Sequence, residues 1–428
     1  MADLELTSQD QAMLDGAHGP AAQMAMRILT TMARVFDAPR LLDIESAHID
    51  GCLYHGISGI EFAQRLVDGN AQVVVPTTLN VGAIDLLHPE AFQGTAVLAQ
   101  RAQTLMKLYE QMGCRPVYTC APYQAAQRPA FGSQIAWAES NAIVFANSAL
   151  GARTNRYGDF IDICAAITGR APASGLHLTP NRRGQLLYRL VNIPTRLLHE
   201  DVLYPVLGYL IGARSGSKIP VIEGLAPDTT EDQLKALGAA AASSGAVALF
   251  HALGVTPEAA TFADAFQGGQ PEQIINITPQ DLQAVLSHLS TVPDNKNGAA
   301  AKIDVVALGS PHFSPAEFAQ LMPLLRAYPP HPDVEFIVCT NRLVLAALQK
   351  KGWTTLLKLA NVRLVVDTCV VVTPIVRARG GVLMTNSGKF AHYTPGNIGL
   401  SVVFGSLEEC VRSGAQGLVW RDKGLWNG

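Results

Sequence analysis

Between residues 302 and 387 the chain keeps returning to one pattern, a short β-branched run that ends in polar residues and is separated from the next by a helical stretch. The runs are KIDVVALGSPH (302–312), VEFIVCTNR (334–342), VRLVVDTCVVV (362–372) and GGVLMTNS (380–387). Strands of this length alternating with helices can bury both faces only as an α/β domain with a mostly parallel sheet. The preceding segments agree. TTEDQLKALGAAAASSGAVALFHALG (229–254) opens on a capping arrangement and continues as a helix whose small residues permit close packing, and ITPQDLQAVLSHLS (277–290) repeats the capping signal. VPDNKNGAAA (292–301) reads as a polar loop.

Earlier in the chain, residues 7 to 37 read as helix. Thr7 or Ser8 can cap it, and Met24, Ile28, Met32 and Phe36 form one apolar stripe. RLLDIES (40–46) and AQVVVPTTLN (71–80) read as strands around an amphipathic helix at 59–68, which implies a right-handed crossover. Polar residues then stand at the strand tips: Ser46 and His48 after the first, Thr77, Thr78 and Asn80 after the second. In open α/β sheets ligands bind at those tips, although turn and cap chemistry would leave the same residues there. A helix over 91–112 leads into RPVYTCAPYQ, a strand ending near Cys120. Residues 134–150 read as a helix carrying Glu139, followed by a strand or turn at Asn147, and 195–211 reads as helix. RSGSKIPVIEG (214–224) reads as loop and short strand and as a boundary. The expected division is 1–215, 216–375 and 376–428. At 428 residues the chain exceeds a single core.

Composition narrows the function. A net charge of -3, with no Lys/Arg-rich run, excludes a broad nucleic-acid face. No uninterrupted apolar stretch of about 20 residues is present to span a membrane, and the acidic start MADLELTSQDQAML is unlike a signal peptide. Seven scattered cysteines read as reduced thiols of a cytoplasmic protein. Charged residues make up only 16%, below the roughly 25% of an average soluble protein, which points to surface covered by a partner or to a large Ala-rich enzyme.

The polar groups concentrate between Tyr118 and His177, where YTCAPYQ, IAWAESNAIVFANSALGARTNRYGD and SGLH place Cys120, Glu139, Asn147, Ser148, Arg153, Thr154, Asn155 and Arg156 among small apolar residues. Polar groups buried in such a segment need partners. Arg153 and Arg156 could face one side and fork onto a substrate carboxylate, or form structural salt bridges. Glu139 suits acid or base work, or pairs with one of those arginines. Cys120, Ser310 and Cys369 each follow a strand and its polar tip. A thiolate there can ligate a metal, and a buried inert thiol is the alternative. Ser387, Lys389, His392 and Tyr393 share a Gly-bounded loop at 385–396, suited to recognising an anion or a partner, or simply solvated. Neither GxxxxGK[ST] nor GxGxxG occurs.

The segments LTSQDQAMLDGAHGPAAQMAMRIL, SAHIDG, VPTTLN, TCAPY, IAWAESNAIVFANSALGARTNRYGD, GLHL, PVLGYLIG, KIPVIEGL, GSPHFSPAE and VDTCVVVTP closely resemble the catalytic subunit of the aconitase X family over nearly the whole chain. The resemblance implies an aconitase-like multi-domain α/β architecture and a hydro-lyase that dehydrates a β-hydroxy acid at an iron site. A small swivelling domain, fused or separate, completes that site and carries the serine base of the superfamily; here a separate small subunit is implied. Two substrates occur in the family, cis-3-hydroxy-L-proline and mevalonate 5-phosphate. The Ala-rich composition and the lack of a strongly basic phosphate pocket favour the first. The family's cluster ligands correspond to Cys120 and Cys369, with Ser310 where the middle motif has cysteine. The implied cofactor is therefore an iron-sulfur cluster, two-iron or four-iron, or iron alone. Glu139, His312 and Lys389 become the acid/base candidates, and Ser46, His48, Thr78, Asn80, Asn147, Ser148, Arg153, Thr154, Asn155, Arg156 and His177 the substrate contacts. A racemase or isomerase on the same scaffold, or a non-catalytic subunit, would share the fold.

Overall fold

In a computed structural model, residues 4–124, 126–296 and 299–426 are described. They divide into two units, one of residues 4–84, 95–183 and 256–258 and one of 85–94, 184–255 and 259–426. The segment 214–224 lies inside the second. Residues 297 and 298 of the expected polar loop lie outside the described residues.

In the first unit the single helix expected over 7–37 is two, Ser8–Leu14 and Pro20–Val35. Thr7 caps the first through a reciprocal pair with Asp10. The chain then turns through Gly16 and Gly19 at positive φ, and Pro20, needing no amide partner, starts the second. Five strands follow: β1 (Leu41–Asp43), β2 (Ser46–Ile49), β3 (Thr77–Leu79), β4 (Ile135–Trp137) and β5 (Arg170–Pro172). β1 pairs antiparallel with β5, and β2 is the centre of a parallel sheet in the order β3-β2-β4. The amphipathic helix between β2 and β3 spans Ile57–Asp68. Arg170 ties the first helix to β1 by ion pairs to Asp10 at 2.9 Å and to Asp43.

Several boundaries differ from the sequence reading. The run 40–46 is split between two strands that pair with different partners, so Ser46 and His48 lie within β2 and not beyond a tip. Val73–Val75 are outside β3, whereas Thr77 and Thr78 are inside it, and only Asn80 stands past the strand end. The segment leading to Cys120 is not a strand. It meets the sheet at an isolated bridge, Arg115 to Thr78, and again where the Thr119 amide donates to the Leu79 carbonyl at 3.3 Å, with Tyr118 between them turning the backbone to φ 42°. Residues 135–137 are strand, and the helix is Ser140–Ser148, with Glu139 at its N-cap and Asn147 in its last turn.

The second unit contains β6 (Leu186–Leu190), β7 (Pro220–Glu223), β8 (His251–Ala252) and β9 (Gln273–Ile277), all parallel in the order β8-β7-β6-β9. After the antiparallel pair β10 (Asn295–Lys296) and β11 (Ala299–Ala300) come β12 (Val305–Leu308), β13 (Glu335–Cys339), β14 (Val362–Val365), β15 (Val382–Thr385) and β16 (Ser401–Phe404). These five form an all-parallel sheet ordered β14-β13-β12-β15-β16. Its central strand β12 is buried at every residue, as a parallel sheet covered on both faces requires. The core around it includes Val306, Leu308, Phe318, Phe336, Val338 and Val403. The helices Leu203–Ser215 and Glu231–Ser244 approach so closely that a Cβ at Gly208 would meet the Leu237 carbonyl oxygen at 2.1 Å, the close packing that the small residues foretold. The loop expected at 385–396 is instead a helix, Gly388–Tyr393, capped by the Ser387 hydroxyl. Among the described residues no helix is long and apolar enough to cross a membrane. The seven cysteines are buried and none forms a disulfide.

Candidate active site

The ARTNR segment is held by a buried network. Arg182, 1% exposed, donates to the Asn147 side-chain oxygen at 3.0 Å and to its carbonyl at 2.9 Å, and forms an ion pair with Glu258. Asn147 in turn donates to the Thr154 carbonyl at 2.9 Å and accepts from the Thr154 amide at 3.1 Å. The Thr154 hydroxyl accepts from the Trp137 amide at 3.1 Å, which fixes the segment to β4. Asn155 bonds the Ser174 carbonyl at 3.1 Å and the Leu176 amide at 2.7 Å. Asn147, Thr154 and Asn155 thus meet backbone and one another, and their first effect is to fix this turn.

Arg153 and Arg156 differ in setting. Arg153 donates to the Thr179 hydroxyl at 2.6 Å and stands 3.9 Å from Glu258, while its Nε makes no hydrogen bond; Arg156 is exposed. His177 is buried between the Tyr157 hydroxyl at 2.5 Å and Gln134 at 2.6 Å. Burial first, then Arg182 and Arg153, lowers its pKa to about 3, so it is neutral. Ser148 is buried in the same helix turn as Asn147. Glu139 accepts from the Ala142 amide at 2.6 Å and from the Ser140 hydroxyl at 3.3 Å, the geometry of a helix cap.

A second group lies on the β3-β2-β4 sheet. His48 faces Thr78 on one side and Trp137 on the other by strand register. Its Nδ1 is 2.8 Å from the Thr78 hydroxyl, and that hydroxyl donates to Gln127 at 3.0 Å. Burial lowers the His48 pKa to about 4, against the opposing pull of Glu139 and the Thr119 backbone. Ser46 is buried at the start of β2. Past the strand ends, Asn80 donates to Asp50. The Asp50 amide donates to Asp162 at 2.8 Å, and so does that of Gly51 at 3.3 Å.

In the second unit Ser310 follows β12 and is buried in a turn whose peptide to Pro311 is cis, with the Ser387 hydroxyl donating to its carbonyl. His312 is fully buried and its Nε2 donates to the Thr368 carbonyl at 3.1 Å. Cys369 follows β14 in a turn closed by the Val372 and Thr373 amides on its carbonyl. Lys389 sits half-buried in the helix capped by Ser387. A cleft of about 560 Å³ opens beside Ser310, Ser387 and Gly388 and reaches Asp232, Lys235 and Glu317. Lys235, 2% exposed, pairs with Asp232 at 2.8 Å and Glu317 at 2.5 Å. Burial outweighs that lysine and raises the Glu317 pKa to about 7.

The donor set tests the implied cofactor. Cys120 and Cys369 are buried thiols and Ser310 a buried hydroxyl, and no group of three or more His, Cys, Asp or Glu is arranged for a metal among the described residues. This chemistry fits an iron group taking two thiolates from the chain and does not fit one taking three, because a serine hydroxyl is a far weaker iron ligand than thiolate.

Arg182, Glu258, Gln127, Asp162 and Lys235 escaped the sequence reading. The signal for Asp162 was an acid inside the apolar run FIDICAAI, and for Lys235 a lysine on the small-residue face of its helix. Nothing local marks Arg182, Glu258 or Gln127, since their partners are far off in sequence.

Residues 3–180 match the aconitase X first domain, 185–287 the second domain and 303–416 the third. The chain is 43% identical over 417 residues to a cis-3-hydroxy-L-proline dehydratase of Pseudomonas aeruginosa, covering 96% of this chain and 70% of that protein. It is 42% identical over 419 residues to one of Hypocrea jecorina, covering 97% and 69%. It is also 35% identical over 409 residues to a phosphomevalonate dehydratase large subunit of Thermococcus kodakarensis, covering 95% and 99%. The crystal structure of Thermococcus kodakaraensis aconitase X in its holo-form superposes with a TM-score of 0.85 at 34% identity, over 96% of this chain and all of that one. On this match of sequence and fold, which bears out the α/β architecture with mostly parallel sheets, the chain belongs to the aconitase X family and is one of its hydro-lyases.

Proposed function

We propose that the chain dehydrates cis-3-hydroxy-L-proline to Δ1-pyrroline-2-carboxylate, together with a separate small subunit. The observation that carries the substrate is the step in identity, 43% and 42% to the two cis-3-hydroxy-L-proline dehydratases against 35% to the phosphomevalonate dehydratase large subunit. The small-subunit partner is supported by the name of the latter, a large subunit.

The reaction removes the proton α to the carboxylate and expels the β-hydroxyl, which leaves with a proton as water; the enamine formed tautomerises to the cyclic imine acid. Arg153 and Arg156 take the substrate carboxylate, and the unused Nε of Arg153 supports that role. The buried network behind them, from Arg182 through Asn147 to Thr154, keeps the turn from yielding as substrate binds. Cys120 and Cys369 would hold iron, alone or in a cluster, and when bound it supplies Lewis acidity toward the hydroxyl. Glu139 and His312 remain acid/base candidates, each already committed to one backbone contact.

The test is co-expression with a small subunit under anaerobic conditions, iron and sulfide analysis, and assays on both substrates. Turnover of cis-3-hydroxy-L-proline by iron-containing protein is expected. Turnover of mevalonate 5-phosphate alone would move the chain to the second substrate class, and an iron-loaded complex inert on both would end the proposal.

A further inference from the structure

The hydrogen bonds around β2 and β3 determine where one proton sits. The Gln127 side-chain NH₂ donates to the Pro76 carbonyl at 3.0 Å. The opposite amide assignment would set two carbonyl oxygens against each other, so the Gln127 oxygen must face Thr78. The Thr78 hydroxyl spends its only hydrogen on that oxygen at 3.0 Å. Its 2.8 Å contact with His48 therefore uses a hydrogen on Nδ1. A neutral imidazole carries one N–H, which leaves Nε2 as a bare lone pair.

That lone pair is fully buried and makes no hydrogen bond, and the indole Nε1 of Trp137 is buried without one as well. The two rings belong to residues paired in strand register, with centroids 5.6 Å apart. One nitrogen needs a hydrogen and the other needs a lone pair. A carboxylate lacks the first and an ammonium the second, whereas an O–H group offers both.

We propose that Gln127 is a positioning residue which, through Thr78, holds His48 in its Nδ1–H tautomer, so that Nε2 accepts the O–H of the substrate hydroxyl or of the water it becomes. The identity of the hydroxyl rests on the dehydratase reading above; the tautomer does not.

The experiment separates the two. The full chain, labelled with ¹⁵N-histidine, is examined by two-bond ¹⁵N–¹H correlation, with the His48 signals assigned by their loss in His48→Gln. The wild type should show Nδ1 protonated, Thr78→Ser should keep that pattern, and Thr78→Val and Gln127→Leu should shift it toward a mixture. In the reconstituted enzyme, Gln127→Leu and Thr78→Val should lower kcat/KM by about tenfold or more, while Thr78→Ser retains most of it. A wild-type ring protonated at Nε2 overturns the proposal, as does a Gln127→Leu spectrum unchanged from wild type. Tautomer shifts without loss of turnover in an active enzyme overturn the role of Nε2. A responsive tautomer in a complex that does not dehydrate hydroxyproline leaves the relay standing and sinks the substrate reading alone.

Discussion

Asp162 shows how much one buried carboxyl can be changed by its surroundings. Its oxygens accept from the amides of Asp50, Gly51 and Ile163, yet burial, and after it the charge of Asp159, raises its pKa to about 7. The folded state therefore keeps a proton that the unfolded chain releases near pH 4. The stability Asp162 contributes is full below that pH and falls as pH rises through about 7, at up to about 1.4 kcal/mol per pH unit. Urea unfolding between roughly pH 4.5 and pH 7 should therefore show a falling slope in the wild type that Asp162→Asn flattens. Equal slopes would mean that the carboxyl is ionised throughout. Residues of this kind were half legible: FIDICAAI shows a buried acid, but which amides meet it depends on a loop more than a hundred residues earlier.

Among the elements, the helix Ser140–Ser148 carries the plainest lesson. Its sequence, SNAIVFANS, is apolar at the centre and polar at both ends, so its existence could be read but its start could not. The start depends on where β4 ends, and β4 ends at Trp137, opposite His48 and one residue short of the end of its partner β2. Once Glu139 falls on the N-cap, its carboxylate serves the Ala142 amide. Glu139→Ala should therefore cost about 1 kcal/mol in chemical denaturation, and Glu139→Ser or Glu139→Asp, which are good caps, should recover most of it. A larger loss of turnover than of stability in Glu139→Ser would show that the carboxylate also acts on substrate. The same dependence explains the strand ends. β12 and β14 place Ser310 and Cys369 as read, because a buried parallel strand is a continuous apolar run. Cys120 follows no strand, since the segment before it forms only an isolated bridge with the sheet and is broken by the turn at Tyr118.

At the scale of the whole molecule, the cores are built of apolar side chains. The second unit packs its main sheet on residues such as Phe318, Leu321, Phe336 and Val403, unlike small domains that fold only around a bound ion. On the proposed iron site, stripping the metal with a chelator should abolish dehydration but leave far-UV circular dichroism unchanged and the thermal midpoint within a few degrees; collapse of the fold would show the cofactor to be structural. The alternating runs from 302 to 387 and the capped helices at 231 and 279 were enough, by themselves, to determine an α/β architecture, because period, caps and strand-end residues act over a few positions along the chain, while the hydro-lyase reading came from the resemblance of segments such as ARTNR to the aconitase X family. Only the tertiary structure decided that Arg182 and Glu258 brace Asn147, that Glu139 is a cap, and that Gln127 controls the proton on His48. Those contacts join residues tens of positions apart, and a side chain's partner, unlike its helix or strand, is set by what the fold brings beside it.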